Sequence, residues 1–249
     1  MASSSCFSAL LFVLPMLILL YRGDSQLVKS RAAYYESQDG LGTSRGGCGY
    51  GEFGRELNYG DVAAVGRLFR GGAGCGACYQ VKCKNEDLCS GKGVKVVATD
   101  HGEGDGTDFI MSPHAFTAMA KNGKDKHLLA LGVVDIKYKR VPCQYPGYNI
   151  MFKINESSDY PYYLSLVFWY TGGQKDIIAV ELSQDKILDW KAMRRSYGGV
   201  WDIAPPPCEN IVVRFLVSDD YDSQWVSAPN VIPANWKAGS LYDSGIQIN

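Results

Sequence analysis

Gly74-Cys75-Gly76-Ala77-Cys78-Tyr79-Gln80-Val81-Lys82-Cys83 is the densest cysteine stretch of the chain, and its reading decides the fold. Together with Cys48, Cys89 and Cys143 it makes an even set of cysteines within roughly one hundred residues, which points to a disulfide framework and an oxidising compartment. Cys75-x-x-Cys78 also has zinc-like spacing. A zinc site needs a second such pair or matching histidines, whereas His101, His114 and His127 are scattered and no second pair exists. We therefore expect disulfides, with no metal and no cofactor.

The N-terminus carries the compartment signal. Leu10 to Leu20 is apolar apart from Pro15 and, at about 11 residues, falls well short of the ~20 needed to span a bilayer. Gly23-Asp24-Ser25 places small residues where a signal peptidase inspects them, so residues 1–25 read as a secretory signal although basic charge is missing from its start. Cys6 would leave with it. No later segment is apolar enough to cross a membrane, and the expected product is soluble, extracellular and monomeric.

A net charge of −1 gives no electrostatic case for nucleic acid or an anionic membrane. The 16 Tyr and 5 Trp suit a protein that handles flat apolar faces such as sugar rings, although any single aromatic is better explained as core. With 28 Gly and few long helical periodicities, the chain reads as mostly β. About 220 residues after the signal allow one large domain or two ordinary ones. Cysteine stapling ends at Gln144-Tyr145-Pro146-Gly147-Tyr148, where Pro-Gly is a turn signal, so we divide the chain into 26–145 and 146–249.

In the first domain, Gly93 to Thr99 and Gly132 to Tyr138 are strand-like runs between glycine-rich loops. One helix is expected over Ser112 to Lys121, with Ser112 as N-cap and Pro113 at its first position. A second, short helix is expected over Asp61 to Phe69. Helices are too few for parallel-sheet crossovers, which favours a β-barrel.

Gly47-Cys48-Gly49-Tyr50-Gly51, Gly74 to Tyr79, Val96-Val97-Ala98-Thr99-Asp100 and Lys139-Arg140-Val141-Pro142-Cys143 resemble, in this order, the first domain of plant expansins. The downstream half matches as well, and the resemblance is strongest to the expansin-like A branch. It implies an all-β-dominated protein: a six-stranded double-psi β-barrel with short helices, related to certain endoglucanases, followed by an immunoglobulin-like antiparallel β-sandwich. It also implies the pairing Cys48–Cys75, Cys78–Cys143 and Cys83–Cys89, which spacing alone leaves open.

Hydrolysis on such a barrel needs two carboxylates facing a cleft, one of them with a raised pKa. The family keeps one acid in a His-Phe-Asp motif. Aligned on Phe109 and Met111-Ser112, this chain has Asp108 at the histidine position and Ile110 at the acid position. Asp108 lies two residues, about 7 Å, along the strand from there, too far to replace the acid. The resemblance places Tyr35 and Asp100 in the cleft, and Asp108 is a further cleft or loop candidate. Asp100 could equally be a turn residue capping loop amides. A family carboxylate expected just before Cys48 is absent, with Arg45 nearby. No catalytic residue is assigned.

The second domain alternates like an antiparallel sandwich, with strands expected at 148–156, 162–170, 177–182, 211–217 and 225–232. By period two, Leu164, Leu166, Phe168 and Tyr170 face the core, while Tyr163, Ser165, Val167 and Trp169 face outward. Outward aromatics can stack on the C–H face of a sugar. Tyr162-Tyr163 and Tyr197 also fall where the resemblance puts the polysaccharide-binding surface, and Trp169 and Trp201 complete the candidate set. Trp190, Trp201 and Trp236 also have a core or interdomain reading. Cys208 has no partner and reads as a free buried thiol, and Asn155-Glu156-Ser157 is a glycosylation sequon.

The functional expectation is a non-enzymatic wall protein whose partner is cellulose, xyloglucan or another hemicellulose. The alternatives are a weak hydrolase or lyase using Asp100, and a barrel scaffold for a ligand or protein in signalling or defence.

Overall fold

The computed structural model describes residues 27–248 except 105, 185–186, 220 and 231; the expected signal segment lies outside the described residues. Six strands close a barrel in the order β1-β5-β2-β4-β3-β6. They are β1 (Val28–Tyr34), β2 (Val62–Val65), β3 (Cys78–Cys83), β4 (Val94–His101), β5 (Phe109–Met111) and β6 (Val133–Val141). Parallel β1–β5 and β2–β4 pairs are joined by antiparallel pairs elsewhere. Inward-facing Val81, Val96, Ala98, Phe109, Met111 and Ile136 fill the barrel, all fully buried.

Three short helices decorate it: α1 (Glu52–Glu56), α2 (Pro113–Ala118) and α3 (Asp125–Leu129). The Ser112 hydroxyl accepts from the Ala115 N–H at 3.1 Å, capping α2 with Pro113 at its first turn, as the sequence predicts. The helix expected over Asp61 to Phe69 is instead β2 followed by a 3-10 turn at 67–72. All four residues of β2 are buried, so its apolar run shows no alternation and mimics a helical face.

Among the described residues three disulfides form: Cys48–Cys75, Cys78–Cys143 and Cys83–Cys89. Cys208 is free and exposed, which corrects the expectation of a buried thiol.

The second unit stacks two antiparallel sheets. The five-stranded sheet has the order β11-β12-β8-β7-β15, built from β7 (Met151–Ile154), β8 (Leu164–Trp169), β11 (Arg194–Tyr197), β12 (Val200–Ile203) and β15 (Leu241–Asp243). The four-stranded sheet has the order β10-β9-β13-β14, from β9 (Asp176–Gln184), β10 (Ile187–Ala192), β13 (Ile211–Ser218) and β14 (Ser223–Ser227). Leu164, Leu166 and Phe168 enter the core between the sheets with Val213, Phe215 and Trp236. Tyr170 does not continue that face; it ends β8 at φ 58 and stacks on Tyr148, centroids 4.5 Å apart. Trp190 is not core either. It lies on the outer side of the four-stranded sheet, where Arg214 sits 4.1 Å over its ring and 4.6 Å over that of Trp225.

Barrel and sandwich are fastened by backbone and charge. Cys143 and Gly173 exchange two backbone hydrogen bonds, and Gly199 N–H donates to Cys48 carbonyl at 3.1 Å. A Cβ on Gly72 (φ +96) would strike the Gly198 backbone, and one on Gly198 (φ +47) would strike the backbone of Gly47 and Cys48, so only glycine fits at either position. Asp176 at the start of β9 accepts from Arg140 and from Arg70 of the barrel, each at 2.6 Å. Arg195 donates to the carbonyls of Gly72, Gly198 and Ile177.

Candidate functional site

The outer face of the five-stranded sheet follows from its register. Val167 of β8 pairs with Val200 of β12 and Lys153 of β7, and Val200 pairs with Tyr197 of β11. Trp169, Val167, Lys153, Val200 and Tyr197 therefore share the face away from the sandwich core. The barrel covers part of it: Val167 and Val200 pack on Cys48 and Tyr50, and both are nearly fully buried. Period two names the outward face of a strand but not what lies against it.

Beyond this contact the two units leave an open groove of about 630 Å³. Its barrel wall carries Arg45, Tyr50, Glu52 and Phe53; its sandwich wall carries Lys153, Asn155, Trp169 and Tyr197. Phe53 stacks on Trp169 with centroids 4.1 Å apart and planes 16° from parallel. Lys153 Nζ lies 5.7 Å from the Trp169 centroid and pairs with Glu156 at 2.7 Å. The Trp169 indole N–H is buried and has no hydrogen-bond partner among the described residues, an unmet donor in the groove wall. Glu52 pairs with Arg55 at 3.3 Å. The result is a mixed aromatic and hydrogen-bonding trough suited to a sugar chain.

The predicted stacking residues divide. Tyr197 is half exposed at the groove, and Trp169 is half buried there with one face taken by Phe53. Tyr162 is open at 70% exposure, and Tyr163 donates its hydroxyl to Asp202 at 3.1 Å, in the turn leading into β8. Six residues separate Tyr163 from Trp169, about 20 Å of strand, so they mark two stations on one face. Trp201 must be withdrawn from the set. It is 4% exposed, points into the core and lies under the Arg195 guanidinium at 4.1 Å. Nothing in the sequence outside the aromatic count singled out Phe53 or Lys153, which reach the groove from α1 and from β7.

The cleft candidates lie on the barrel. Ile110, between inward Phe109 and Met111, points outward and pairs with Ala33 of β1 and Ala64 of β2; Ala64 in turn pairs with Asp100 of β4. Ile110 and Asp100 thus flank Ala64, about 10 Å apart across two strand spacings. Asp100 Oδ1 accepts from the Gly47 N–H at 2.5 Å and the His101 N–H at 2.7 Å, so it holds the loop before Cys48, the capping alternative. Tyr35 is its neighbour: burial, and next the Asp100 charge, push the Tyr35 hydroxyl well above the usual tyrosine range, keeping it protonated. Asp108 is not brought to this pair as a free acid. Arg67 grips it with two bonds at 2.7 and 3.0 Å. Burial alone would raise the Asp108 pKa, but hydrogen bonds from Arg67 and Ser30 outweigh it and hold the group ionised. Among the described residues no group of three or more His, Cys, Asp or Glu side chains is placed to hold a metal ion.

Such a strapped barrel joined to a sandwich with an aromatic outer face defines a class, and comparison with known proteins gives it a family. Residues 150–233 match the family model described as the expansin C-terminal domain, and residues 61–138 match the one described as lytic transglycolase. The chain is 49% identical over 241 residues to expansin-like B1 of Arabidopsis thaliana, covering 96% of this chain and 95% of that protein. It is 47% identical over 242 residues to expansin-like B1 of Oryza sativa subsp. japonica, covering 95% and 94%. With expansin-like A1 of Arabidopsis thaliana it shares 42% over 229 residues, 90% of this chain and 86% of the relative. The chain belongs to the expansin family. These identities do not support the A-branch placement expected from the sequence. An expansin of Clavibacter michiganensis has the same fold, with a TM-score of 0.66 at 19% identity over 89% of this chain and 98% of its own; another structure of that protein, a point mutant, holds cellohexaose.

Proposed function

We propose that this chain is a secreted plant cell-wall protein that binds cellulose or hemicellulose and loosens or modifies the wall without cleaving it. The observation that carries the reading is the interdomain groove, where Trp169 and Tyr197 stand beside the hydrogen-bonding side chains of Arg45, Glu52, Lys153 and Asn155. Sugar rings stack on such faces, with Tyr162 and Tyr163 as a second station along the sheet. Several contacts, each worth about 0.5–1.5 kcal/mol beyond area burial, give reversible binding to an extended polymer. Cellohexaose in the Clavibacter michiganensis protein is consistent with a glucan of this kind.

The absence of cleavage rests on the barrel chemistry. Ile110 can neither give nor take a proton, Asp108 is locked by Arg67, and Asp100 holds two loop amides through Oδ1. A second reading, a weak glycan-cleaving enzyme using Asp100, is favoured by the lytic transglycolase match of residues 61–138. Two measurements on the purified protein separate them. Pull-down on cellulose and xyloglucan-coated cellulose should weaken in Tyr197→Ala and Trp169→Ala. No reducing ends or unsaturated products should accumulate, and products that vanish in Asp100→Asn would establish the enzyme instead. Creep of isolated walls then tells loosening from anchoring.

A further inference from the structure

The sequon Asn155-Glu156-Ser157 forms the turn that follows β7, and Asn155 lines the interdomain groove together with Trp169, Lys153 and Tyr197. Its Oδ1 accepts from both the N–H and the hydroxyl of Ser157, each at 3.0 Å, and its backbone N–H donates to the Ser165 carbonyl at 2.8 Å. The carboxamide is therefore fixed by its oxygen, while Nδ2 makes no hydrogen bond among the described residues. Glu156 and Ser157, the rest of the sequon, are exposed. Asn155 also follows the period-two pattern of β7: Lys153, two residues earlier, is the side chain over the Trp169 ring.

We propose that Asn155 is an N-glycosylation site whose glycan lies in the groove and competes with the wall polymer, so that its occupancy sets how strongly the protein binds. The inference rests on the polysaccharide reading above. In the transfer, Nδ2 attacks C1 of a lipid-linked oligosaccharide pyrophosphate during secretion. The N–C1 bond forms, the C1–oxygen bond breaks, and the lipid pyrophosphate leaves with the electron pair while a base takes one amide proton. The first pyranose then sits on the wall that carries Trp169. A sugar tethered there has an effective concentration in the millimolar range, enough to rival a polymer held by a few stacking contacts. Trp169 cannot tell a tethered ring from a polymer ring, since both offer the same C–H face.

The test uses the full chain secreted from a plant host. Mass spectrometry of the Asn155 peptide reads occupancy. Binding of cellohexaose and of insoluble cellulose is then compared among the glycosylated protein, the same protein trimmed by an endoglycosidase to one residual sugar, and the sequon-free variants Asn155→Gln and Ser157→Ala. We expect an occupied Asn155 and binding about fivefold or more weaker in the glycosylated form than in both variants, with the trimmed protein between. An unmodified Asn155 overturns the proposal. So does an occupied site whose glycoform binds within about twofold of Ser157→Ala. If the site is occupied and no form binds any polymer, the polysaccharide reading falls and the competition falls with it. Sequon-free variants that bind while the glycoform matches them sink the competition alone.

Discussion

Asp176→Asn is the substitution that best tests whether the two units act as one body. Asp176 opens β9 of the sandwich, is 9% exposed, and accepts from Arg140 and Arg70 of the barrel at 2.6 Å each. The amide that replaces it can still accept through its oxygen, so about one charge-assisted hydrogen bond is lost, worth about 1.5–3 kcal/mol. Its NH2 group then faces a guanidinium donor to donor, and both arginines lose their counter-charge. Removing one partner of a fully buried pair costs about 3–5 kcal/mol. Here the Arg70 and Arg140 side chains are 41% and 25% exposed, so water takes over part of the solvation. We expect a loss of about 2–3 kcal/mol, in the upper part of the single-bond range and below the buried-pair limit. Urea unfolding followed by intrinsic fluorescence measures it, since urea leaves ion pairs unscreened. Small-angle scattering of the folded variant reports whether the units begin to move apart. A loss below about 0.5 kcal/mol, the level of an ordinary exposed pair, would refute the reasoning.

The disulfides should rank by the loop each closes: sequence separations of 65, 27 and 6 give chain-entropy contributions of roughly 4.3, 3.6 and 2.2 kcal/mol for Cys78–Cys143, Cys48–Cys75 and Cys83–Cys89. Paired Cys→Ala variants in urea should follow that order, and an equal loss at Cys83–Cys89 would contradict it. Hydrogen bonds from Arg194, and then from Tyr163 and Ser196, hold the Asp202 carboxyl below the usual range, so its contribution to stability is present above the ordinary carboxylate pKa of about 3.9 and disappears as pH falls through the lower folded value. The gap between the urea midpoints of Asp202→Asn and its parent should therefore be constant near neutral pH and start to narrow as pH falls below about 4, and a gap that does not narrow on acidification would count against the linkage. Ile110→Asp should release no reducing ends from amorphous cellulose, because Asp100 remains bound to the Gly47 and His101 amides.

Local signals carried much of this structure. Leu164, Leu166 and Phe168 alternate into the core as their spacing requires, and Ser112-Pro113 starts a helix because hydroxyl and ring each suit that position. Signals failed where a neighbour in space decides. Ser165 and Val167 face outward yet are buried, the first with its backbone bonded to the Ser158 hydroxyl and the second beneath the barrel. Tyr197 and Trp201 are close in sequence, but the Gly198-Gly199 turn and an irregular register at Tyr197 break the period between them. One ring goes to the groove and the other to the core. Strands β11, β12 and β15 escaped notice because they are only three or four residues long.

Aromatic residues at both ends of one sheet face would bind a polymer weakly by themselves; their arrangement against the barrel gives them a direction. The Gly72–Gly198 approach brings backbone to backbone, and Asp176 pins the same junction by charge. Tyr197 is thereby held against Gly49, in the loop whose preceding residue, Gly47, is tied to Asp100. That carboxylate fixes the loop at the edge of the groove. On the non-cleaving reading proposed above, Ile110 in place of an acid and Asp100 as a loop clamp are parts of one physical situation. On that reading a carboxylate not needed for proton transfer serves rigidity, and a rigid groove wall reduces the ordering cost of gripping a chain.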